Sequence, residues 1–305
     1  AFIIFKPMNS LKKLLVGLEK RFKVSALVAP LLIMGEVLLE VLIPLIMARI
    51  IDVGISNHDV GYVVKYGLIM ILAAFASLGF GVFAGKYAAV ASVGFARNIR
   101  RRLFNKIQDF SFGNVDKFST SSLITRLTTD VTNTQNTFQM IIRMCIRSPF
   151  MFVSAIIMSF YINSKMALIF LVAIPLIAIP AAIIMKKAFP RFQEMMKNYD
   201  LLNGTVQENL IGIRAVKAFV REKDEIERFK IAANAVRTTQ VKAEKLVILN
   251  MPIMQLVMYL SIIAILWFGG NFIIAGSMQV GELISFITYL TQILMSLMMI
   301  SMIFV

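Results

Sequence analysis

Six stretches of this chain stay apolar for the length that a bilayer demands. A helix rises about 1.5 Å per residue, so a hydrocarbon core of about 30 Å takes roughly 20 residues. The stretches run approximately over 24–51, 62–96, 138–162, 166–185, 246–268 and 283–305. They read as an all-α membrane protein with six transmembrane helices. The fourth and fifth contain no charged residue, whereas the first holds Glu36 and Glu40, the second Lys65 and Lys86, and the third Arg143 and Arg147.

Composition adds a second constraint. The chain is 58% hydrophobic and only 16% charged, yet 32 Lys and Arg against 17 Asp and Glu give it a net charge of +15. Such a chain is either a membrane protein with basic loops or a nucleic-acid binder, and the placement of the charge decides. Residues 1–23 hold six Lys/Arg, 97–137 hold seven and 186–245 hold thirteen, while 52–61 and 269–282 hold none. Alternation of this kind is the positive-inside pattern. It places both termini and the long loops 97–137 and 186–245 in the cytoplasm of a cell whose inner membrane the chain spans, with three short turns outside. A nucleic-acid partner is excluded, because its basic surface would not be divided by membrane-length apolar runs. The lone Cys145 and lone His58 exclude a disulfide scaffold and a thiolate or multi-histidine metal site, so no metal is expected. Ala1–Phe5 is too short for a signal-peptide core and is followed by Lys6-Pro7, so no cleavable export signal is expected.

The long inside loops keep helical periodicity. Ile99, Leu103, Ile107 and Phe110 recur at one face, so the second helix is expected to run from Tyr62 to Phe110, about 73 Å. The fourth span runs on towards Leu210, and the fifth begins near Ile226, well before the membrane. Two tips join these extensions. The first, Gly113–Ser121, contains Asn114, Val115, Asp116, Lys117, Phe118, Ser119 and Thr120, a polar turn-forming run before a Ser/Thr-capped helix. The second, Leu210–Val220, contains Gly212, Ile213, Arg214, Val216, Lys217 and Phe219. Ile213, Val216 and Val220 share one face of an expected short helix, with Arg214 and Lys217 on another. Periodicity alone allows an ordinary solvated helix–turn–helix tip equally well.

These segments resemble the transmembrane domain of ABC exporters of the multidrug type, with bacterial heterodimeric subunits as the nearest pattern. The resemblance rests on Glu208-Asn209, Gly212-Ile213, Val216-Lys217-Ala218-Phe219, Glu222, Glu225 and Arg228-Phe229. Phe118-Ser119-Thr120, Leu123, Arg126-Leu127, Asp130 and Ala48-Arg49-Ile50-Ile51-Asp52 support it, and it covers essentially the whole chain. Ser121-Ser122 departs from the pattern, standing where many members have Gly and an acid. The resemblance implies a type-1 exporter fold in which the two tips are coupling helices seated on nucleotide-binding domains. It also implies a second exporter half, a heterodimer being favoured over a homodimer, and a hydrophobic or amphipathic small-molecule substrate moved out by alternating access.

No ATP site is visible in this chain. A phosphate-cradling loop needs Gly, four residues, then Gly-Lys-Ser/Thr; at Gly85-Lys86 the first Gly is replaced by Phe80 and Tyr87 follows. The chain alone is therefore not expected to be an enzyme or to hold a cofactor. ATP and Mg are expected on nucleotide-binding domains that follow Val305 or are supplied separately.

Within the membrane, Glu36 and Glu40 lie one turn apart at mid-depth, where an ionisable group is costly and marks a candidate site. They are suited to cationic substrates, protons or a gate residue, or to structural pairing. Arg143 and Arg147 repeat the spacing, and snorkelling towards headgroups or into the inner cavity accounts for them. Met295, Met298, Met299 and Met302 form a flexible polarisable stripe suited to varied apolar ligands, and the resemblance places that span along the pathway. Ala73, Ser77, Gly81, Gly85 and Ala89 form a small-residue packing stripe. Leu11, Leu14, Leu15, Leu18 and Phe22, flanked by lysines and arginines, describe a helix in the headgroup layer, where the family has an elbow segment. The expected organisation is thus an elbow over 1–23 and a six-helix domain over 24–305. Two other functions stay open on the residues: a proton-coupled secondary transporter using Glu36 and Glu40, and a non-transporting membrane sensor or scaffold.

Overall fold

The computed structural model describes residues 18–111, 113 and 120–303, the side chains of 301–303 excepted. Most of the amphipathic 1–23 segment, and Asn114 to Ser119 of the first tip, lie outside the described residues. The helices are α1 (Lys20–Arg49), α2 (Val60–Gln108), α3 (Thr120–Thr125), α4 (Val131–Ile162), α5 (Ser164–Ala218), α6 (Glu222–Ile248), α7 (Asn250–Ile274) and α8 (Val280–Ile303). Short π-helical runs, Ile50–Ile55 and Arg126–Asp130, extend α1 and precede α4. No strand occurs among the described residues. Six helical stretches are long and apolar enough to cross a membrane, as the sequence leads one to expect.

α2, at 49 residues, is the single long helix expected from its periodicity. Two other elements differ from expectation. α5 continues for 55 residues through Ala218, so the second tip is the end of a long helix rather than a separate short one. The prolines of α5 all lie upstream, at 175, 180 and 190. Past them only Gly204 and Gly212 weaken the helix, each by about 1 kcal/mol relative to Ala. Conversely, the helix expected to run unbroken from the second loop into the fifth span is interrupted at Leu249. Pro252 explains this: continued helix would press its ring on the Ile248 carbonyl, whereas in the first turn of α7 its missing N–H costs nothing.

The chain forms two compact units, one made of Ala1–Lys165 with Gly269–Ile303 and the other chiefly of Met166–Phe268. In the first, α1, α2 and α4 pack on one another and α8 packs on α1 and α4. Ala29, Ala88, Ala91, Phe95, Phe138 and Ile142 belong to its core, and the Phe95 and Phe138 rings stack with centroids 4.2 Å apart. The buried stripe of α2 is Ser77, Ala84, Ala88, Ala91, Phe95 and Ile99 rather than the four-residue repeat expected. A helix turns about 100° per residue, so a strict period of four drifts about 40° per step and leaves the face within two turns.

In the second unit α5 and α6 run antiparallel as a hairpin. Arg191 donates to the Lys242 carbonyl at 3.0 Å, Asn198 to the Thr239 hydroxyl at 3.2 Å, and Asn209 to the Glu225 carboxylate at 3.0 Å. Arg228 pairs with Glu208 at 2.7 Å, and Lys217 with Glu222 at 3.2 Å.

Candidate functional site

Glu36 and Glu40 project from one face of α1, and α4 brings Arg147 against both. Arg147 Nη1 lies 2.6 Å from Glu36 Oε1, and Nη2 donates to both carboxylate oxygens of Glu40 at 2.8 Å. The guanidinium is a planar fork of five donors, and two carboxylates one helical turn apart match it. Arg147 therefore turns towards the inner cavity rather than the headgroups, the second of the two placements its position allowed. The three side chains are 33%, 17% and 27% exposed, which shields the cluster from water and strengthens the pairing. Gly81 of α2 makes the room. A Cβ there would come within 3.0 Å of Glu36 Oε1, so this glycine accommodates a carboxylate rather than a neighbouring backbone.

Beside the cluster is a cavity of about 540 Å³, within the range of small-molecule sites. Asn136, Met140, Arg143 and Arg147 line it from one face of α4, opposite Ile33 and Glu36 of α1, with Met299 of α8. It thus combines apolar, thioether, carboxamide and charged groups. Of the methionines expected along the pathway only Met299 lines this cavity; Met295 is exposed and Met298 half-buried elsewhere on α8, and the Met302 side chain is outside the described residues. Gln139, Met140 and Met144 belong to the site and were not expected. The signal for Met140 was present, since the 136/140/143/147 spacing keeps one helical face. His58 is exposed.

A polar seam joins α1 to α8 in the same unit. Pro44 has no N–H, so the Glu40 carbonyl one turn earlier loses its helical donor; Gln292 Nε2 approaches it at 3.5 Å. Tyr289 donates its hydroxyl to the Val41 carbonyl at 2.7 Å, and Ser285 donates to the Pro44 carbonyl at 2.7 Å. At the end of the seam the Asp52 carboxylate accepts from the backbone N–H groups of Gly281 and Glu282 at 2.5 and 3.2 Å. Those are free donors of the first turn of α8, where a negative charge is favoured. Only glycine fits at 281, because a Cβ would lie 2.5 Å from the Ala48 carbonyl oxygen.

The hairpin tip in the second unit has a different character. A groove of about 490 Å³ is lined by Leu210, Ile213, Val216, Ile226 and Phe229, with Lys217 and Glu225 among its polar groups. Ile213, Val216 and Lys217 of the expected tip residues therefore meet, whereas Gly212, Arg214 and Phe219 do not line it. Ile211, Phe219 and Val220 are 78%, 77% and 79% exposed. The Arg221 N–H bonds to the Val216 carbonyl and the Val220 N–H to the Lys217 carbonyl, a Schellman turn. Its left-handed position is held by Val220, at φ 54°. The Glu222 carboxyl is held below the usual carboxylate range, first by its own backbone N–H and then by Lys217. Asp224 raises the Arg221 guanidinium further. At the first tip, Thr120 opens α3, and Arg100 of α2 donates to the Leu127 carbonyl at 3.3 Å and the Thr132 hydroxyl at 3.1 Å.

Comparison with known proteins places this architecture. The sequence is 38% identical over 274 residues to an uncharacterized ABC transporter ATP-binding protein, YfiB, of Bacillus subtilis (strain 168), covering 90% of this chain and 48% of that protein. An uncharacterized ABC transporter ATP-binding protein of Mycobacterium tuberculosis (strain CDC 1551 / Oshkosh) is 31% identical over 85% of this chain and 45% of its own length. The ATP-dependent lipid A-core flippase of Desulfotalea psychrophila is 31% identical over 63% of this chain and 34% of its own length. The chain thus spans about half the length of the first two relatives. The ABC transporter transmembrane region matches residues 27–297, and the chain is a member of that family.

Proposed function

We propose that this chain is the transmembrane half of an ATP-driven exporter, moving hydrophobic or amphipathic compounds by alternating access. The observation that carries the reading is the apolar end of the α5–α6 hairpin. Ile211, Phe219 and Val220 are more than three-quarters exposed there, at the end of a 55-residue helix about 82 Å long. About three-fifths of that length lies beyond the span expected from the sequence. Apolar groups held this far from the bilayer need a partner to cover them, and nucleotide-binding domains carrying ATP and Mg are that partner. The first tip, around Asn114 to Thr120, serves the same contact. A second exporter half, preferably a non-identical subunit, completes the pathway. The N-terminus and both tips face the cytoplasm, on the charge asymmetry of the loops. The cavity beside Glu36 and Arg147 receives the substrate, its methionines adapting to apolar bodies of different shape. The name of the Desulfotalea relative, a lipid A-core flippase, agrees with an amphipathic cargo.

Reconstitution tests this. The complete transporter, both halves with their nucleotide-binding domains, is placed in proteoliposomes and movement of a fluorescent amphipath is followed. ATP-dependent transport is expected, with Phe219→Asp and Val220→Asp abolishing it while ATP binding persists. Transport driven by a proton gradient without ATP would instead support a secondary transporter. Retained coupling in the tip variants would remove the hairpin from the interface.

A further inference from the structure

Arg143 and Arg147 stand one turn apart on α4 and both line the cavity, but only one of them is occupied. Arg147 serves Glu36 and Glu40. Arg143 is exposed, and among the described residues it makes neither an ion pair nor a hydrogen bond. The carboxylates are in the opposite condition. Glu40 gives both oxygens to Arg147 and does not line the cavity, and Glu36, which does, gives Oε1 to the same guanidinium at 2.6 Å. A cation entering the cavity would have to break into this shared arrangement, leaving Arg147 short of a partner in shielded surroundings. An anion meets a free guanidinium fork, which matches carboxylate or phosphate oxygens two at a time. Glu36, Glu40 and Arg147 together carry one excess negative charge, but it is divided between two carboxylates that both hold Arg147. The charge of Arg143 is undivided and within reach of the cavity.

We propose that Arg143 selects the cargo, and that the substrate class is an amphipath with a carboxylate or phosphate head. Its anionic end pairs with Arg143, and its apolar body lies against Met140, Met144 and Met299. This narrows the exporter reading given above and rests on it. Gln139, one turn before Arg143, supports the same end. Its Oε1 accepts from the fully buried Ser92 hydroxyl at 3.4 Å, which leaves its Nε2 as a second donor on the cavity wall. Glu36 and Glu40 then hold Arg147 in place and shape the wall, and a cationic substrate has no free carboxylate to meet.

The experiment uses the complete transporter, both halves with their nucleotide-binding domains, in nanodiscs of zwitterionic lipid and in proteoliposomes. Three fluorescent probes share one apolar body and end in a phosphate monoester, a neutral amide or a quaternary ammonium. Without nucleotide, the phosphate probe is expected to bind about tenfold more tightly than the neutral one, and the ammonium probe more weakly than either. Arg143→Gln should abolish that advantage, and Arg143→Lys should keep part of it, because a point charge replaces a fork. Binding of the neutral probe reports that each variant is folded. Inorganic phosphate in excess should not compete, since it lacks the apolar body. Equal binding of the phosphate and ammonium probes overturns the proposal, as does an advantage that survives Arg143→Gln. Competition by inorganic phosphate overturns it too, marking a plain anion site. ATP-driven movement of all three probes with equal efficiency would leave the exporter reading standing and remove anion selection. Selective binding of the phosphate probe with no ATP-driven movement of any probe would instead overturn the exporter reading, and with it Arg143 as a selector of cargo.

Discussion

The α1–α4–α8 assembly and the α5–α6 hairpin both join helices through polar side chains, but by opposite means. In the first, a half-buried guanidinium serves two carboxylates, and hydroxyls of 0–1% exposed residues reach main-chain carbonyls. In the second, Arg228–Glu208 and Lys217–Glu222 pair across the arms with side chains 36–66% exposed. Exposed pairs of this kind contribute about 0–1 kcal/mol each. Shielded charges interact more strongly, and losing one partner strands the others. The first assembly thus holds a defined arrangement by itself. The hairpin, with apolar residues exposed at its tip, is built to be completed by something else.

The largest expected effect tests that contrast directly. Arg147→Met leaves Glu36 and Glu40 facing each other without a cation, and should cost about 2–4 kcal/mol, allowing for partial exposure. Adding Glu36→Gln and Glu40→Gln should recover most of the loss, because the charges then disappear together. Arg228→Met, removing the corresponding cation of the hairpin, should cost less than about 1 kcal/mol. Thermal unfolding of the lipid-reconstituted transporter compares them. Equal losses from the two single variants would erase the distinction between the regions.

A smaller effect concerns how each region turns its corners. The loop before α8 is a Schellman turn with Gly276 in the left-handed position at φ 71°, whereas the hairpin tip places Val220 there at φ 54°. A β-branched residue in that region carries strain of about 1–3 kcal/mol, which glycine lacks. Val220→Gly should therefore stabilise the hairpin by about 1 kcal/mol, after the greater unfolded-state freedom of glycine is set against the relief. On the proposed function it should also weaken coupling to ATP hydrolysis, because a 79%-exposed side chain is lost from the tip. Protection of tip amides in hydrogen exchange measures the first effect and drug-stimulated ATPase activity the second. Unchanged protection would mean that the tip is not strained.

The legible parts of this molecule are those set by periodicity and by transfer into lipid. Six apolar runs, the long α2 and the inward face shared by Glu36 and Glu40 all follow from spacing along one helix. Spacing cannot say which helix lies opposite. That α4 faces α1, and so delivers Arg147 to both acids, is a property of packing, as is the approach of Gln292 to the carbonyl released by Pro44. The polar residues of α8 were visible as Ser285, Tyr289 and Gln292 in an apolar span, but their partners are backbone atoms, which carry no residue-specific signal. The methionine stripe illustrates the opposite case. A face at 295, 298, 299 and 302 is well defined, yet of its described side chains only Met299 reaches the cavity, where Met140 and Met144 of α4 also supply thioethers.

The smallest expected effect is a pH dependence confined to the hairpin tip. Glu222 opens α6, and its carboxyl is stabilised as the anion by its own backbone N–H and by Lys217, so its folded pKa lies below the ordinary value of 4.5. A lowered folded pKa means that the unfolded tip binds its proton first on acidification. The contribution of Glu222 is therefore fully present above the ordinary carboxylate range, and is lost as the pH falls through the lower folded value. The effect is modest because the group is solvent-exposed. Hydrogen exchange of the amides at 218–226, corrected for intrinsic rates between pH 6 and 3 (about one unit either side of the usual carboxylate range), should show protection falling in acid. Glu222→Gln should start lower and remain flat. In the α1–α4–α8 assembly the same substitution should change nothing at any pH. If protection there follows the hairpin, the two regions do not open independently, and the contrast between a self-sufficient assembly and an incomplete hairpin no longer holds.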